Sequence, residues 1–367
     1  MTTQQKAVFV TEVGKPLELG KREIPQPGEH QVLIRVSACM SEYHNRRLPL
    51  TILTTLVLPH DTYCRDWGLY VADKLPFILG ANLAGTITAL GSNVANFRTG
   101  DRVFGLANIH LDVPDQQGLQ QYAVLDADAI ASTPAGFTDE AVATLPTNLI
   151  TSWIALFTKE GFAFPPPLAG EGKSFDYAAQ HVVILGGGTN VGRFAVQLAA
   201  LAGVGTIITV AGASNREALI KIGATHTLDR HLGVDELTAK IRSIVGEAGV
   251  EHIYDCANME FTLACALVST GSSKTKTKLR TLLPLDAFSR SDYPRCDAEM
   301  LDARNDQLHP HQSTFWASVT KWLEEGRVLP TNFRVVEGLD DVAGINAGLD
   351  GYGEFGRSGV NGVVVKI

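Results

Sequence analysis

Short patterns of alternating apolar and polar residues dominate the first third of the chain. They occur at 7–10, 17–19, 31–36, 83–90, 100–105 and 121–124, and Gly or Pro residues separate several of them. Alternation with a period of two is typical of strands with one buried face, and Gly/Pro turns join such strands. This part of the sequence therefore predicts a β-barrel or a similarly closed β domain.

A different pattern begins at His181, where an apolar run, three glycines and a helical segment follow one another. The run at 182–185 has the length of a buried parallel strand, and apolar residues at 191, 195, 198 and 201 share one helix face. A helix that starts after such a turn offers N–H groups and a dipole to a pyrophosphate, which predicts a dinucleotide site. The expected contacts are Gly187, Gly188, Thr189, Asn190 and Val191.

The glycine spacing at this turn is close to G-x-G-x-x-G. Gly187 is first, Thr189 takes the second glycine position and Gly192 is last. An ordinary strand-to-helix turn also uses glycine, so a structural turn without a ligand is the alternative. The combination of strand, turn and helix favours the nucleotide site.

Composition limits the classes of protein that fit. A chain of 367 residues suggests two domains, and 45% hydrophobic with 19% charged residues indicates a globular fold. A net charge of −8 without a long Lys/Arg run argues against nucleic acid as the main partner. The first residues lack an apolar signal core and no segment reaches transmembrane length, so we expect a cytoplasmic protein without membrane contact.

The end of the second predicted Rossmann strand, at 206–210, bears on the choice of cofactor. An NAD site usually has Asp or Glu there to bind the ribose 2′-hydroxyl. This chain offers Ser214, Asn215 and Arg216, which can donate hydrogen bonds to a 2′-phosphate, and has no carboxylate to repel it. The sequence therefore favours NADPH. The alternative is a helix start capped by Ser214 or Asn215 with Arg216 in solvent, and the two interpretations are compatible.

Several segments in a fixed order resemble the medium-chain dehydrogenase/reductase superfamily. They are V-L-I-R-V-S-A at 32–38, L-G-A-N-L-A-G-T-I-T-A-L-G at 79–91, G-D-R-V-F-G at 100–105, A-T-L-P at 143–146 and the glycine turn. The resemblance implies an α/β protein with a GroES-like β-barrel domain and a Rossmann domain with a doubly wound parallel sheet. The implied domains are 1–147, completed by 312–367, and 148–311.

Zinc-dependent members of that superfamily carry a ligand cysteine after the segment at 32–38 and a Gly-His-Glu triplet before the Ala-Gly step. Here residues 39–44 read C-M-S-E-Y-H and residues 80–82 read G-A-N. Catalytic zinc needs three protein ligands, and an alanine stands in the place of the histidine. None of the five cysteines forms a C-x-x-C pair. We therefore expect a metal-free protein.

The zinc-free branch contains enoyl, quinone and aldehyde reductases that transfer hydride from a nicotinamide. The G-G-x-T-x-x-G variant at 186–192, with an extra glycine, and the proline-containing insertion at 164–177 resemble fungal trans-acting enoyl reductases and related aldehyde reductases. In this family the loops after the late strands flank the nicotinamide. That comparison implies contacts from two segments: Cys256, Ala257 and Asn258, and Leu283, Pro284 and Leu285.

Many zinc-free relatives carry N-P-x-D-W-K after the V-x-A segment, and its lysine is a suspected contributor. Here residues 42–47 read E-Y-H-N-R-R, which places Arg47 at the lysine position and Tyr43 and His44 nearby as proton donors. Thr151, in the segment where the family crosses between domains, is a further hydrogen-bond candidate. The alternative is that Tyr43 packs at the domain junction while His44 and the arginines face solvent.

The resulting hypothesis is an NADPH-dependent, zinc-independent reductase of an enoyl, enone or aldehyde substrate, in fungal secondary metabolism. The substrate would be a small molecule or an acyl group on a carrier, and the protein a monomer or a homodimer. A quinone or aldehyde reductase in detoxification is the alternative enzyme. The unusual segment at 42–47 also keeps open a non-redox member, a binding protein or a cyclase, that retains the nucleotide fold.

Overall fold

The structure is a computed structural model. It describes residues 3–41, 60–108, 113–168, 174–246, 249–257, 261–269, 276–282, 285, 288–301, 311–350 and 362–367. The predicted site residues Tyr43, His44, Arg47, Asn258, Leu283 and Pro284 lie outside these ranges. In the part of the chain that the structure describes, no helix is long and apolar enough to cross a membrane.

The described residues form a β-rich first part, followed by alternating strands and helices as the sequence predicts for a Rossmann domain. The strands are β1 (Gln4–Val10), β2 (Glu18–Glu23), β3 (Gln31–Ser41), β4 (Phe77–Ile78), β5 (Asn82–Leu90), β6 (Arg102–Leu106), β7 (Tyr122–Asp126), β8 (Ile130–Ser132), β9 (His181–Leu185), β10 (Thr206–Ala211), β11 (His226–Asp229), β12 (His252–Asp255), β13 (Thr277–Thr281), β14 (Cys296–Met300), β15 (Arg334–Glu337) and β16 (Val363–Lys366). The helices are α1 (His60–Trp67), α2 (Asp139–Val142), α3 (Pro146–Phe157), α4 (Asn190–Ala202), α5 (Arg216–Lys221), α6 (Val234–Val245), α7 (Thr262–Ser269), α8 (Gln312–Glu324) and α9 (Val342–Asp350).

Six parallel strands form the sheet of the Rossmann part. Their order is β11-β10-β9-β12-β13-β14, the order of a doubly wound sheet, in which β9, the first of these strands along the chain, lies near the centre. The chain adds β10 and β11 on one side of β9, and then crosses back to add β12, β13 and β14 on the other side. Ligands of such sheets bind beyond the carboxyl ends of the strands at that switch point. The fold class predicted from the sequence is confirmed.

A second sheet draws strands from both ends of the chain. Its order is β15-β16-β3-β5-β6-β8, and β7 also pairs with β3. The long strand β3 pairs with β7 through residues 31–35 and with β16 through residues 38–41. The final strand of the chain therefore completes the amino-terminal sheet. A smaller sheet of β2, β1 and β4 packs beside it.

The helices α3 and α8 join the two parts through a buried aromatic cluster. Trp153 of α3 lies edge-on to Phe315 of α8, with ring centroids 4.9 Å apart, and Trp322 stacks beside it at 5.9 Å. Phe104 of β6 meets Trp316 at 6.2 Å, which extends the same core into the second sheet. One continuous apolar core therefore contacts both sheets.

Three parts of the fold lie in stretches without a clear local pattern. The fifth Rossmann strand, β13, spans Thr277–Thr281 and includes the end of a Ser/Thr/Lys run at 269–278 whose composition favours a loop. The sixth strand, β14, spans Cys296–Met300 and contains no continuous apolar run. The irregular stretch at 48–74 fits either a loop with helical turns or a plain surface excursion. Its described part contains helix α1, whose Tyr63 and Cys64 are buried, in agreement with the first alternative.

Candidate functional site

The glycine turn leads directly from the central strand β9 into helix α4. Gly186 adopts φ +88°, a left-handed conformation that glycine accepts without a Cβ clash. Thr189 is the N-cap of α4: its Oγ1 accepts a hydrogen bond from the Gly192 N–H (3.0 Å) and donates one to the Gly186 carbonyl (2.9 Å). The threonine in the second glycine position therefore both closes the turn and caps the helix.

The turn also requires glycine for close approach. A methyl group at Gly192 would collide with the carbonyl oxygen of Gly186, and would lie 2.8 Å from the Cα of Gly187. A methyl group at Gly187 would lie 2.7 Å from the Cβ of Thr209 on β10. The start of α4 is therefore packed against the ends of β9 and β10. Such packing is the role of the last glycine in a dinucleotide-binding turn.

Parallel pairing brings the ends of three strands to the same level. Leu185 of β9 is in register with Val210 of β10 and with Asp255 of β12. A methyl group at Gly186 would lie 2.6 Å from the Cβ of Ala257, two residues after Asp255. The residues that follow β9, β10 and β12 therefore meet in one crevice, where the sequence placed the cofactor.

Cys256 lies in this crevice at the end of β12. Its side chain is buried, and its backbone N–H donates to the carbonyl of Leu185 (2.9 Å). Burial, followed by the neighbouring Asp255 carboxylate, raises the pKa of the Cys256 thiol well above its ordinary value. A raised pKa and a buried position disfavour the thiolate, so the Cys256 thiol is suited to packing and not to nucleophilic attack; its contact with a nicotinamide stays a prediction.

The residues after β10 occupy the place where the sequence predicts selection of the ribose substituent. Ser214 and Arg216 are exposed, and Asn215 is half-buried. Asn215 stands at the N-cap position of α5 but makes no side-chain capping bond. Its Oδ1 instead accepts a hydrogen bond from Nη2 of Arg193 (2.7 Å). The interpretation of Asn215 as a helix cap is therefore wrong, because a buried arginine takes its side-chain oxygen.

Arg193 lies beside the glycine turn and is not among the residues predicted from the sequence. It lies in α4 one residue after Gly192, only 9% exposed, and its Nε reaches the carbonyl of Gly188 (3.4 Å). Burial lowers the pKa of its guanidinium. A signal existed in the sequence, since Arg193 is the only charged residue between Asn190 and Ala202.

The second sheet meets the glycine turn at the start of β16. A methyl group at Gly362 would collide with the terminal carbon of Met40 and would lie 3.8 Å from Nδ2 of Asn190. Met40 and Ser41, at the end of β3, pair with Val364 and Val363. The end of β3, from which the chain continues to residues 42–47, therefore lies beside the glycine turn.

Helix α3 lines the same region with polar side chains. Asn82 Oδ1 accepts hydrogen bonds from the backbone N–H (2.9 Å) and the Oγ1 (2.6 Å) of Thr147. Thr151 is buried and its Oγ1 donates to the carbonyl of Thr147 (2.7 Å). The hydroxyl proton of Thr151 is thus held within the helix, and the oxygen keeps acceptor capacity. Its contribution to catalysis stays a prediction.

The described residues at the position of the family's catalytic zinc do not fit that metal. Ala81 has no ligand atom, and the Asn82 oxygen is committed to Thr147. Cys39 is fully buried, and burial together with Asp61 raises the pKa of its thiol well above the usual value, which opposes the thiolate that zinc needs. Among the described residues, no three His, Cys, Asp or Glu side chains form a ligand group.

The crevice at the glycine turn does fit a nicotinamide dinucleotide. The left-handed Gly186, the close approach of Gly192 and the capped start of α4 together provide the backbone cradle for a pyrophosphate. Gly188 lies in this turn, and Asn190 and Val191 are the first residues of α4; their contact with a cofactor stays a prediction. The residues that would hold the adenosine ribose follow β10.

Two family models match the chain in the order of its two sheets. Residues 28–150 match the alcohol dehydrogenase GroES-like domain, and residues 190–272 match the zinc-binding dehydrogenase domain. The second match begins at Asn190, the first residue of α4, and includes the residues after β10.

Known proteins resemble this chain over most of its length. Dehydrogenase orsE of Emericella nidulans is 30% identical over 364 residues, which cover 95% of each chain. Trans-enoyl reductase tazE of Aspergillus terreus is 29% identical over 255 residues, covering 68% of this chain and 76% of its own. A mycobacterial protein solved in complex with NADPH has the same fold, with a TM-score of 0.69 at 20% identity over 99% of this chain and 100% of its own.

Proposed function

The chain belongs to the medium-chain dehydrogenase/reductase superfamily and is an oxidoreductase of that family with a nicotinamide cofactor, and on this premise we propose that it is a zinc-independent, NADPH-dependent reductase of an enoyl, enone or aldehyde substrate. One observation carries the proposal. Beside the glycine turn, where an NAD site has a carboxylate for the adenosine ribose, this chain has the amide of Asn215 and the buried Arg193. The name of the relative tazE supports an enoyl substrate.

The bound cofactor would supply a hydride to the β-carbon of an enoyl group or to the carbon of an aldehyde. The protein's part is to align the acceptor and to stabilise the developing oxyanion, because hydride transfer needs little other help. A proton must also reach the substrate, and Tyr43, His44 and Arg47 remain our candidates for that step and for binding the oxyanion. These residues follow β3, whose end lies beside the glycine turn.

The substrate we propose is a small molecule or an acyl group carried on a partner protein, in fungal secondary metabolism. The similarity to orsE and tazE, both from fungi, supports this context. We propose a monomer or a homodimer.

The test of the activity is NADPH oxidation with purified protein and a panel of enoyl thioesters, enones, aldehydes and quinones. We expect consumption of NADPH with an enoyl or aldehyde member, and slower consumption of NADH at the same concentration. A carrier-bound enoyl thioester and its free analogue in the same panel distinguish the two substrate sources. Activity with quinones alone would support the detoxification alternative. Tight cofactor binding without any turnover would support the non-redox alternative, and no binding of either cofactor would refute the reductase.

Zinc removal is expected to leave the activity unchanged. The reason is the donor set: Ala81 offers no ligand atom and the Cys39 thiol is held neutral. Purified protein should contain zinc well below one ion per chain, and dialysis against a chelator should not change the rate of NADPH oxidation. Loss of activity on chelation, with recovery on added zinc, would contradict zinc independence.

A further inference from the structure

Arg193 is a buried cation that no carboxylate compensates in the described part of the chain. It is 9% exposed, and its two hydrogen bonds go to neutral oxygens, Oδ1 of Asn215 (2.7 Å) and the carbonyl of Gly188 (3.4 Å). Asp229, at the end of the neighbouring strand β11, pairs with His231 (2.9 Å). A buried, unpaired charge is costly. Its retention beside a nucleotide-binding turn points to an anion in the bound state.

Arginine also fixes which way the amide of Asn215 faces. A guanidinium has donors and no acceptor, so only the amide oxygen can meet Arg193, and the amide N–H₂ must face the other way. Nδ2 then lies 3.0 Å from the position of a methyl group on Gly188 and 3.7 Å from that of a methyl group on Gly212. The N–H₂ group therefore lies between the glycine turn and the end of β10, where it reaches the Gly212 carbonyl (3.5 Å) and keeps a second N–H to donate.

That space is where a Rossmann site holds the adenosine ribose. NAD-binding sites put a carboxylate there, which accepts the 2′-hydroxyl proton and repels a 2′-phosphate. Here the same position offers an N–H₂ donor backed by a positive charge. The exposed Arg230 lies at the rim, with its Nε 4.0 Å from a methyl position on Gly212.

We propose that Arg193 and Asn215 select NADPH over NADH: Asn215 donates its amide N–H₂ to the 2′-phosphate, and Arg193 is the positioning residue that holds the amide in this orientation and supplies the compensating charge. The inference rests on the proposed NADPH dependence and assigns it to a pair of residues. The pair carries one positive charge, which a 2′-phosphate neutralises and a 2′-hydroxyl does not. The exposed Arg216 is then an outer contact and not the main determinant.

Three substitutions test the assignment through the ratio of the NADH and NADPH dissociation constants. Arg193→Met removes the charge and frees the amide, and should weaken NADPH binding roughly 10- to 100-fold while NADH binding changes by less than about threefold. Asn215→Asp keeps the shape and the bond from Arg193 but places a carboxylate at the ribose. It should reverse the preference, with NADH bound more tightly than NADPH. Asn215→Ala should weaken NADPH binding without any gain for NADH.

Arg242→Met, which removes an exposed arginine on α6, is the matched control and should leave both constants unchanged. Binding is measured by fluorescence titration, and circular dichroism verifies that each variant folds. If Arg193→Met does not fold, the isosteric substitution Asn215→Asp still tests the assignment. If the wild-type protein prefers NADPH and Asn215→Asp does not reverse that preference, the assignment is overturned while the proposed function stands. If the wild-type protein binds neither cofactor, the proposed function itself fails.

Discussion

Gly192→Ala is expected to abolish tight cofactor binding. The added methyl group would collide with backbone atoms, the carbonyl oxygen of Gly186 and the Cα of Gly187, which cannot rotate away as a side chain can. The start of α4 must then move away from β9, at a cost of about 1–3 kcal/mol, or roughly a 10- to 100-fold loss in affinity. Titration of the intrinsic fluorescence with NADPH measures the loss, and thermal unfolding reports the strain in the free protein.

Gly233→Ala is the matched control for this substitution. Gly233 precedes α6 with an ordinary φ of −64°, and a methyl group there meets no atom within 4 Å. We expect its NADPH affinity to equal that of the wild-type protein. If Gly192→Ala also binds NADPH with unchanged affinity, the turn is not the pyrophosphate site.

Acidification from pH 7 to pH 5 is expected to destabilise the protein through the buried His252. Burial lowers its pKa to about 3, with the neighbouring His181, Lys278 and Arg280 adding positive charge around it. Below pH 6.5 the unfolded chain binds a proton that the folded protein excludes. Stability is therefore lost as the pH falls from about 6.5 towards 3, by about 2 kcal/mol between pH 7 and pH 5. The pKa of His181 is lowered by burial too, so its contribution has the same sign.

His252→Phe separates this contribution from that of other titrating groups. The site is aromatic, since Phe162 and Phe164 lie edge-on to the imidazole at 4.9 and 4.8 Å. Denaturant unfolding at pH 7, 6 and 5 should show a shallower pH dependence for this variant, by about 2 kcal/mol over the range. His226→Gln, on the exposed side chain of β11, should follow the wild-type curve. Parallel curves for all three proteins would show that folding does not lower the pKa of His252.

The cofactor turn was predictable because its requirements are local. A left-handed φ at Gly186 and close approach at Gly192 each demand a residue without a side chain, and the capping hydroxyl of Thr189 lies three residues from its partner. The buried strands β9 and β10 were predicted for a similar reason, since each is a short apolar run. Their bounds agree with the expected ranges to within one residue.

Elements stabilised by distant partners were harder to predict. The edge strand β14 reads C-D-A-E-M, and its two acidic residues, the half-buried Asp297 and the exposed Glu299, leave no apolar run to recognise. Lys278 belongs to a polar run that favours a loop, yet it lies in β13. Its ammonium donates to the carbonyl of Phe162 (2.7 Å), and the buried Arg280 donates to that of Gly161 (3.0 Å). These carbonyls are more than 100 residues away in the chain, so no local sequence pattern predicts these hydrogen bonds.

The sequence by itself determined that this chain has a dinucleotide turn, a β-rich amino-terminal part and no carboxylate after the second Rossmann strand. Only the tertiary structure decided what stands at the ribose position. Arg193 and Asn215 are 22 residues apart and meet because β9 and β10 pair in parallel, which brings α4 alongside the residues that follow β10. The sequence shows which donors exist; the direction in which an amide faces depends on the partner that folding brings to it.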